Sequence, residues 1–197
     1  MLKIGLTGGL GCGKSTAGIV LAELGAYIFD ADNEAKTMIS KNLTVQSELI
    51  AEFGTDIMGP DNVIDLKKLG RIALQDEDHQ LRLNLVVHPY IYDLIDEQFD
   101  KISAKNKHTM FIVDGALIYE SGYDQHLDYV IVVTALMKNR MERAMGRRTL
   151  TREQILQRIE LQWTEEEKTG LADFVIHNDS TENSLRKEIT EIYERIV

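Results

Sequence analysis

Five short stretches of the chain, residues 3–7, 27–30, 110–114, 129–134 and 174–177, are almost unbroken apolar runs with little polar alternation. A strand with one wet face alternates, whereas a strand covered by helices on both faces does not. Between these runs apolar residues recur at helical spacing, over 14–24, 66–74, 91–101, 152–163 and 183–197. Thr151, opening Thr151-Arg152-Glu153-Gln154, suits a threonine cap at the start of one of these helices. Alternating strands and helices predict a three-layer α/β fold around a five-stranded parallel sheet.

The spacing of the runs is uneven. Residues 33–105 form a long, mostly helical passage between the second and third strands, too much for a minimal crossover, and predict a helical substrate-side subdomain. Residues 137–165 read as a helical hairpin with Gly146-Arg147-Arg148-Thr149 at its tip, an arginine-bearing lid. No repeat or linker-like tract interrupts the chain, so residues 1–197 are expected to form one domain carrying both additions.

Between the first apolar run and the first helix lies Gly8-Gly9-Leu10-Gly11-Cys12-Gly13-Lys14-Ser15, which fits the phosphate-loop pattern G-x-x-x-x-G-K-[ST]. Strand before and helix after are the context that pattern requires. Its glycines let successive N–H groups turn toward phosphate oxygens, and the helix N-terminus adds partial positive charge. Lys14 is placed to reach the β- and γ-phosphates and Ser15 to ligate magnesium, with Thr16 next in the helix. The expected ligands are therefore ATP and Mg²⁺.

Composition adds a constraint. The net charge is −10, which argues against general nucleic-acid or anionic-membrane binding, since both call for a basic surface. Yet seven basic residues (Lys138, Arg140, Arg143, Arg147, Arg148, Arg152, Arg158) stand between 138 and 158 against Glu142 and Glu153 alone, a local excess of +5. A single cysteine, Cys12, cannot form an internal disulfide, and there is neither a leader-like apolar region nor a long apolar run. A cytoplasmic location is expected.

The loop is shared by switches, motors and small-molecule kinases. No guanine-reading Asn-Lys-x-Asp occurs, and Asp56-Ile57-Met58-Gly59 lacks a preceding strand and reads as turn chemistry. A motor needs far more chain, which leaves a small-molecule phosphotransferase. Such an enzyme needs a group near the acceptor hydroxyl and cations around the phosphoryl in flight. The second strand ends in Asp30-Ala31-Asp32, and ligands of open parallel sheets lie beyond the carboxyl ends of the strands. There Asp32 can orient or deprotonate a hydroxyl, or one of the two aspartates can simply cap the following helix. Arg143 and Arg147, four apart on one helix face, can stabilise the phosphoryl or can belong to a solvated basic helix. Cys12 beside a helix N-terminus reads either as a reactive thiol or as a small side chain in a backbone-driven loop.

At this point the residues resemble one family, the dephospho-CoA kinases. Gly5-Leu6-Thr7 with the loop through Thr16 is similar to the family's opening, where serine usually replaces Cys12. Asp30-Ala31-Asp32, His88-Pro89-Tyr90-Ile91, Gln162, Lys168, Ala172-Asp173-Phe174-Val175-Ile176 and Asn178 resemble its later signatures in order. The chain departs from the family at Ala116, where a proline is usual before Leu117, and at Leu66, Arg140 and Arg148.

The resemblance implies transfer of the ATP γ-phosphoryl to the ribose 3′-hydroxyl of dephospho-CoA. It implies that Asp32 faces the acceptor, that Lys14 and the loop amides hold ATP, and that Arg147 and Arg143 close over the phosphates. It further implies that His88, Leu117 and Glu120 line the dephospho-CoA side and that Asn178 lies near the adenine. His88 reads equally as a structural histidine before a helix-starting Pro89. A kinase with another small acceptor, or a nucleotide-binding regulator without turnover, are the alternatives.

Overall fold

The computed structural model describes residues 1–60 and 62–197. Among them, five strands form one sheet: β1 (Leu2–Thr7), β2 (Tyr27–Asp30), β3 (Met110–Asp114), β4 (Tyr129–Thr134) and β5 (Phe174–His177). All pairings are parallel, in the order β2-β3-β1-β4-β5. The chain builds one flank through β2 and β3 and then crosses to the other for β4 and β5. β1 is therefore central, and the loop that follows it opens where the winding changes direction, the usual place for a ligand crevice.

Two compact units are present, Met1–Asp30 with Gln98–Val197, and Ala31–Glu97. In the first, α1 (Lys14–Glu23) and α9 (Glu182–Ile196) cover one face of the sheet. Ile4, Leu6, Ile112, Ile131, Val133 and Ile176 from the strands pack there on Ala17, Val20, Leu21, Leu185 and Ile189. The opposite face buries Val130 and Val132 under Ile118 and Tyr119, and Phe111 under Phe99 beside its β2 neighbour Tyr27. Cover on both faces is why the strands are apolar without alternation.

The second unit holds α2 (Ala31–Lys41), α3 (Leu43–Phe53), α4 (Leu66–Ala73) and the first two-thirds of α5 (Glu77–Lys105). Asn42 and Asp65 cap α3 and α4 through their side-chain oxygens. α5 corrects the sequence reading of a helix starting at Pro89: the helix runs for 29 residues with Pro89 inside it. Proline frees the carbonyl four residues back, here Leu85. Both Pro89 and Leu85 are exposed, so water can take that carbonyl's hydrogen bond.

The remaining helices are α6 (Met137–Gly146), α7 (Arg152–Glu160) and α8 (Glu165–Leu171). The helix expected over 152–163 ends early. α7 stops at Glu160, and Thr164 opens α8 with a capping box to Glu167; Thr151 makes the same motif with Gln154 at α7. Among the described residues, no helix is long and apolar enough to cross a membrane.

Candidate active site

The loop leaves β1 at Gly8 and delivers Lys14 as the first residue of α1. Gly13, at φ +98°, makes the left-handed turn into the helix, and a Cβ there would stand 2.0 Å from Nδ2 of Asn178. Its carbonyl accepts from the Thr16 and Ala17 amides at 3.0 and 3.2 Å. Ser15 stands exposed in the first turn, where its hydroxyl is open to a ligand.

The strand ends supply acid. Asp30 and Asp114 are register partners at the carboxyl ends of β2 and β3. Asp114 is nearly buried, and its Oδ1 accepts a hydrogen bond from the Lys14 ammonium. Sequence reasoning passed over Asp114, although an acidic residue closing a buried apolar strand beside the loop strand was the signal for it. Asp30, Asp114 and Ser15 offer hard oxygens, the donor type that suits magnesium. Among the described residues, no cluster of three acidic, histidine or cysteine side chains could hold a metal unaided.

Asp32 stands in the first turn of α2, which begins directly after β2, so a carboxylate there is favoured by the helix dipole. In the same unit His88 stacks on Tyr92, with ring centroids 5.7 Å apart. Burial pulls the His88 pKa down to about 4, against a smaller upward pull from the Asp32 charge. His88 is thus a neutral imidazole at physiological pH.

The cations and Asn178 grip the loop from below. Asn178 Nδ2 donates to the Cys12 carbonyl at 2.8 Å, and Arg143 donates to the Cys12 and Asn178 carbonyls at 3.3 and 2.8 Å. Arg143 was expected over the phosphates, and Asn178 beside the adenine. Here both side chains hold the loop backbone. Arg147, at the C-cap of α6, and Arg148 are exposed.

Leu117 and Glu120 follow β3. Leu117 is half-buried and its carbonyl accepts from the Ser121 amide at 3.0 Å. Glu120 accepts from the Trp163 amide at 2.9 Å and pairs with the fully buried Lys168 at 2.8 Å, while Lys168 also donates to the Ala116 carbonyl at 2.9 Å. Glu120 therefore fixes the segment that carries Leu117. Lys168, unassigned from sequence beyond its place in a family pattern, is what holds it.

Cys12 is buried at 1% exposure, and burial pushes its thiol pKa up despite a hydrogen bond from the Lys14 amide. Of the two sequence readings, the small packed side chain fits.

A glycine loop at the N-terminus of α1, with its lysine beside a strand-end carboxylate, makes this a nucleotide-binding protein of the P-loop class. Known proteins narrow the class. The dephospho-CoA kinase family profile matches residues 2–184, and the chain belongs to that family. Dephospho-CoA kinase of Thermobifida fusca is 34% identical over 197 residues, covering 100% of this chain and 96% of its own. That of Aquifex aeolicus is 35% identical over 196 residues, with 100% and 98% covered. The solved dephospho-CoA kinase of Campylobacter jejuni superposes with a TM-score of 0.68 at 29% identity, covering 98% of this chain and 96% of that one.

Proposed function

We propose that this chain transfers the γ-phosphoryl of ATP to the ribose 3′-hydroxyl of dephospho-CoA, yielding coenzyme A and ADP, the last step of coenzyme A synthesis. The observation that carries the proposal is the phosphate loop with Lys14 against Asp114, in a chain matched by the family over residues 2–184.

In this reading the loop amides from Gly11 to Ser15 and the Lys14 ammonium hold the ATP phosphates. Magnesium, when bound, neutralises β- and γ-phosphate charge, and Ser15 and Asp114 are the residues that would hold it and its waters. Asp32 orients the 3′-hydroxyl and takes its proton as the new P–O bond forms and the bond to ADP breaks. Arg147, on an exposed helix end, is free to approach the phosphoryl, which gathers charge on its equatorial oxygens. His88 and Leu117 shape the acceptor side, Glu120 holds the Leu117 segment, and the surroundings of Asn178 receive the adenine. A reducing cytoplasm suits an enzyme whose one thiol sits in its phosphate loop.

The test is ADP release with ATP–Mg²⁺ and, in parallel, dephospho-CoA, AMP, CMP, adenosine and shikimate, with the product identified by mass. Coenzyme A formed from dephospho-CoA alone supports the proposal. Faster turnover of another acceptor replaces the substrate and keeps the kinase, and no turnover with any acceptor defeats it.

A further inference from the structure

The first limb of the phosphate loop, Gly9-Leu10, is held by three side chains more than 120 residues further along the chain. Glu165 Oε1 accepts from the Gly9 amide at 3.2 Å, and Gln162 Oε1 accepts from the Leu10 amide at 3.0 Å. Arg140 Nε donates to the Leu10 carbonyl at 3.1 Å, and its Nη1 pairs with Glu165 Oε1 at 3.0 Å. Arg140 is 4% exposed, so the pair is shielded from screening by salt.

The fit explains glycines that the loop pattern does not ask for. A Cβ on Gly9 would stand 2.2 Å from Glu165 Oε1 and 2.3 Å from Arg140 Nη2. One on Gly11 would stand 2.3 Å from the Arg140 carbonyl. Backbone and helix meet here without room for a methyl group.

We infer that Arg140, Glu165 and Gln162 are positioning residues for ATP: they fix the Gly9-Leu10 limb so that the amides from Gly11 onward are preset for the phosphates. Two features favour this over a carboxylate that blocks the phosphate site. Glu165 is neutralised by Arg140, so it adds no net repulsion toward ATP. The Glu165 and Gln162 oxygens take amides of the loop's first limb, leaving the α1 N-terminus open to anions. The same α6 also sends Arg143 to the Cys12 carbonyl, so the helix that ends at Arg147 is fastened to the loop at two points. The inference rests on the assignment of the loop to ATP made above.

The experiment compares the wild type with Glu165→Ala, Glu165→Gln, Gln162→Ala and Gly9→Ala. It measures ADP–Mg²⁺ affinity by calorimetry, KM for each substrate, and Tm. Loss of a loop hydrogen bond should weaken ADP and raise the ATP KM about tenfold in Glu165→Ala and Gln162→Ala, with the dephospho-CoA KM within about twofold. Glu165→Gln, which keeps the acceptor for the Gly9 amide, should recover most of the affinity. Gly9→Ala should weaken ADP at least as much as Glu165→Ala, because its Cβ displaces both Glu165 Oε1 and the Arg140 guanidinium. Equal rises in both KM values, or a fall in Tm with ATP affinity unchanged, would reduce the three to scaffold and overturn the inference. Tighter ADP in Glu165→Ala would reverse it, making the carboxylate a plug. A wild type that binds no ADP would instead defeat the loop assignment itself.

Discussion

The ammonium of Lys168, with no exposed surface, lies 2.8 Å from Glu120 Oε1 and 2.9 Å from the Ala116 carbonyl. One buried charge thus ties α8 to the segment after β3, and the Ala116 carbonyl also takes the Thr7 hydroxyl at 3.3 Å. Removing one partner strands the other. Lys168→Met should cost about 3–5 kcal/mol of stability by leaving Glu120 uncompensated, and adding Glu120→Gln should recover much of that loss. Urea unfolding of the two single variants and the double one reads this directly. Equal losses in Lys168→Met and in the double would deny the coupling.

Asp32→Asn keeps the shape of the side chain and removes its capacity to take a proton. A loss of general-base assistance predicts a fall in kcat of about 10²–10⁴-fold with ADP affinity nearly unchanged. A variant with near-wild-type kcat would move the acceptor-side role to another carboxylate.

Asp114→Asn should act through the metal. Its Oδ1 is paired with Lys14 here, and on nucleotide binding the lysine has phosphates to meet instead. The variant should raise the Mg²⁺ concentration for half-maximal rate about tenfold, as loss of an outer-shell carboxylate does elsewhere. An unchanged magnesium titration would confine Asp114 to partnering Lys14.

His88 gives the protein an acid-sensitive element. Its folded pKa of about 4 lies below its ordinary 6.5, so the unfolded chain binds more protons between those values. Stability from the neutral ring is whole above 6.5 and drains away as pH falls toward 4, by up to about 3 kcal/mol. His88→Gln should flatten that limb when unfolding free energies at pH 7.5 and 5 are compared. If the two proteins keep parallel slopes, the acid response lies with other groups.

Cys12 should resist thiol reagents in the native protein at neutral pH and react once urea unfolds it, because burial both hides the sulfur and raises its pKa. Rapid native modification would show that the loop opens readily.

The sheet was legible because burial on both faces leaves an unambiguous mark: runs such as Met110–Asp114 and Tyr129–Thr134 have no polar alternation to misread. The helices were harder. Pro89 reads as a boundary from local sterics alone, and only its exposed position in α5 makes the lost hydrogen bond tolerable. The start of α8 was written in Thr164-Glu165-Glu166-Glu167, a capping-box pattern just past the helical stretch read over 152–163.

The chemistry divided in the same way. The loop is contiguous in sequence and carries its own pattern, so Lys14 and Ser15 could be named at once. Arg140, Glu165 and Asp114 act through contacts across 100 residues or more, and no local pattern marks which charged residue of a basic helix turns inward.

The glycines at positions 9 and 11 have a meaning for anyone randomising this loop. The pattern G-x-x-x-x-G-K-[ST] treats both as free letters, yet each abuts Arg140, in one case its guanidinium and in the other its carbonyl. A library that varies residues 8–15 alone should return glycine at both. At position 9 the obstacles are the Arg140 guanidinium and the Glu165 carboxylate, both side chain, so varying positions 140 and 165 in the same library should let alanine and serine through. At position 11 the obstacle is main chain and φ is +83°, so no partner substitution opens it. One glycine is negotiable and the other is not, although the pattern writes the same letter for both.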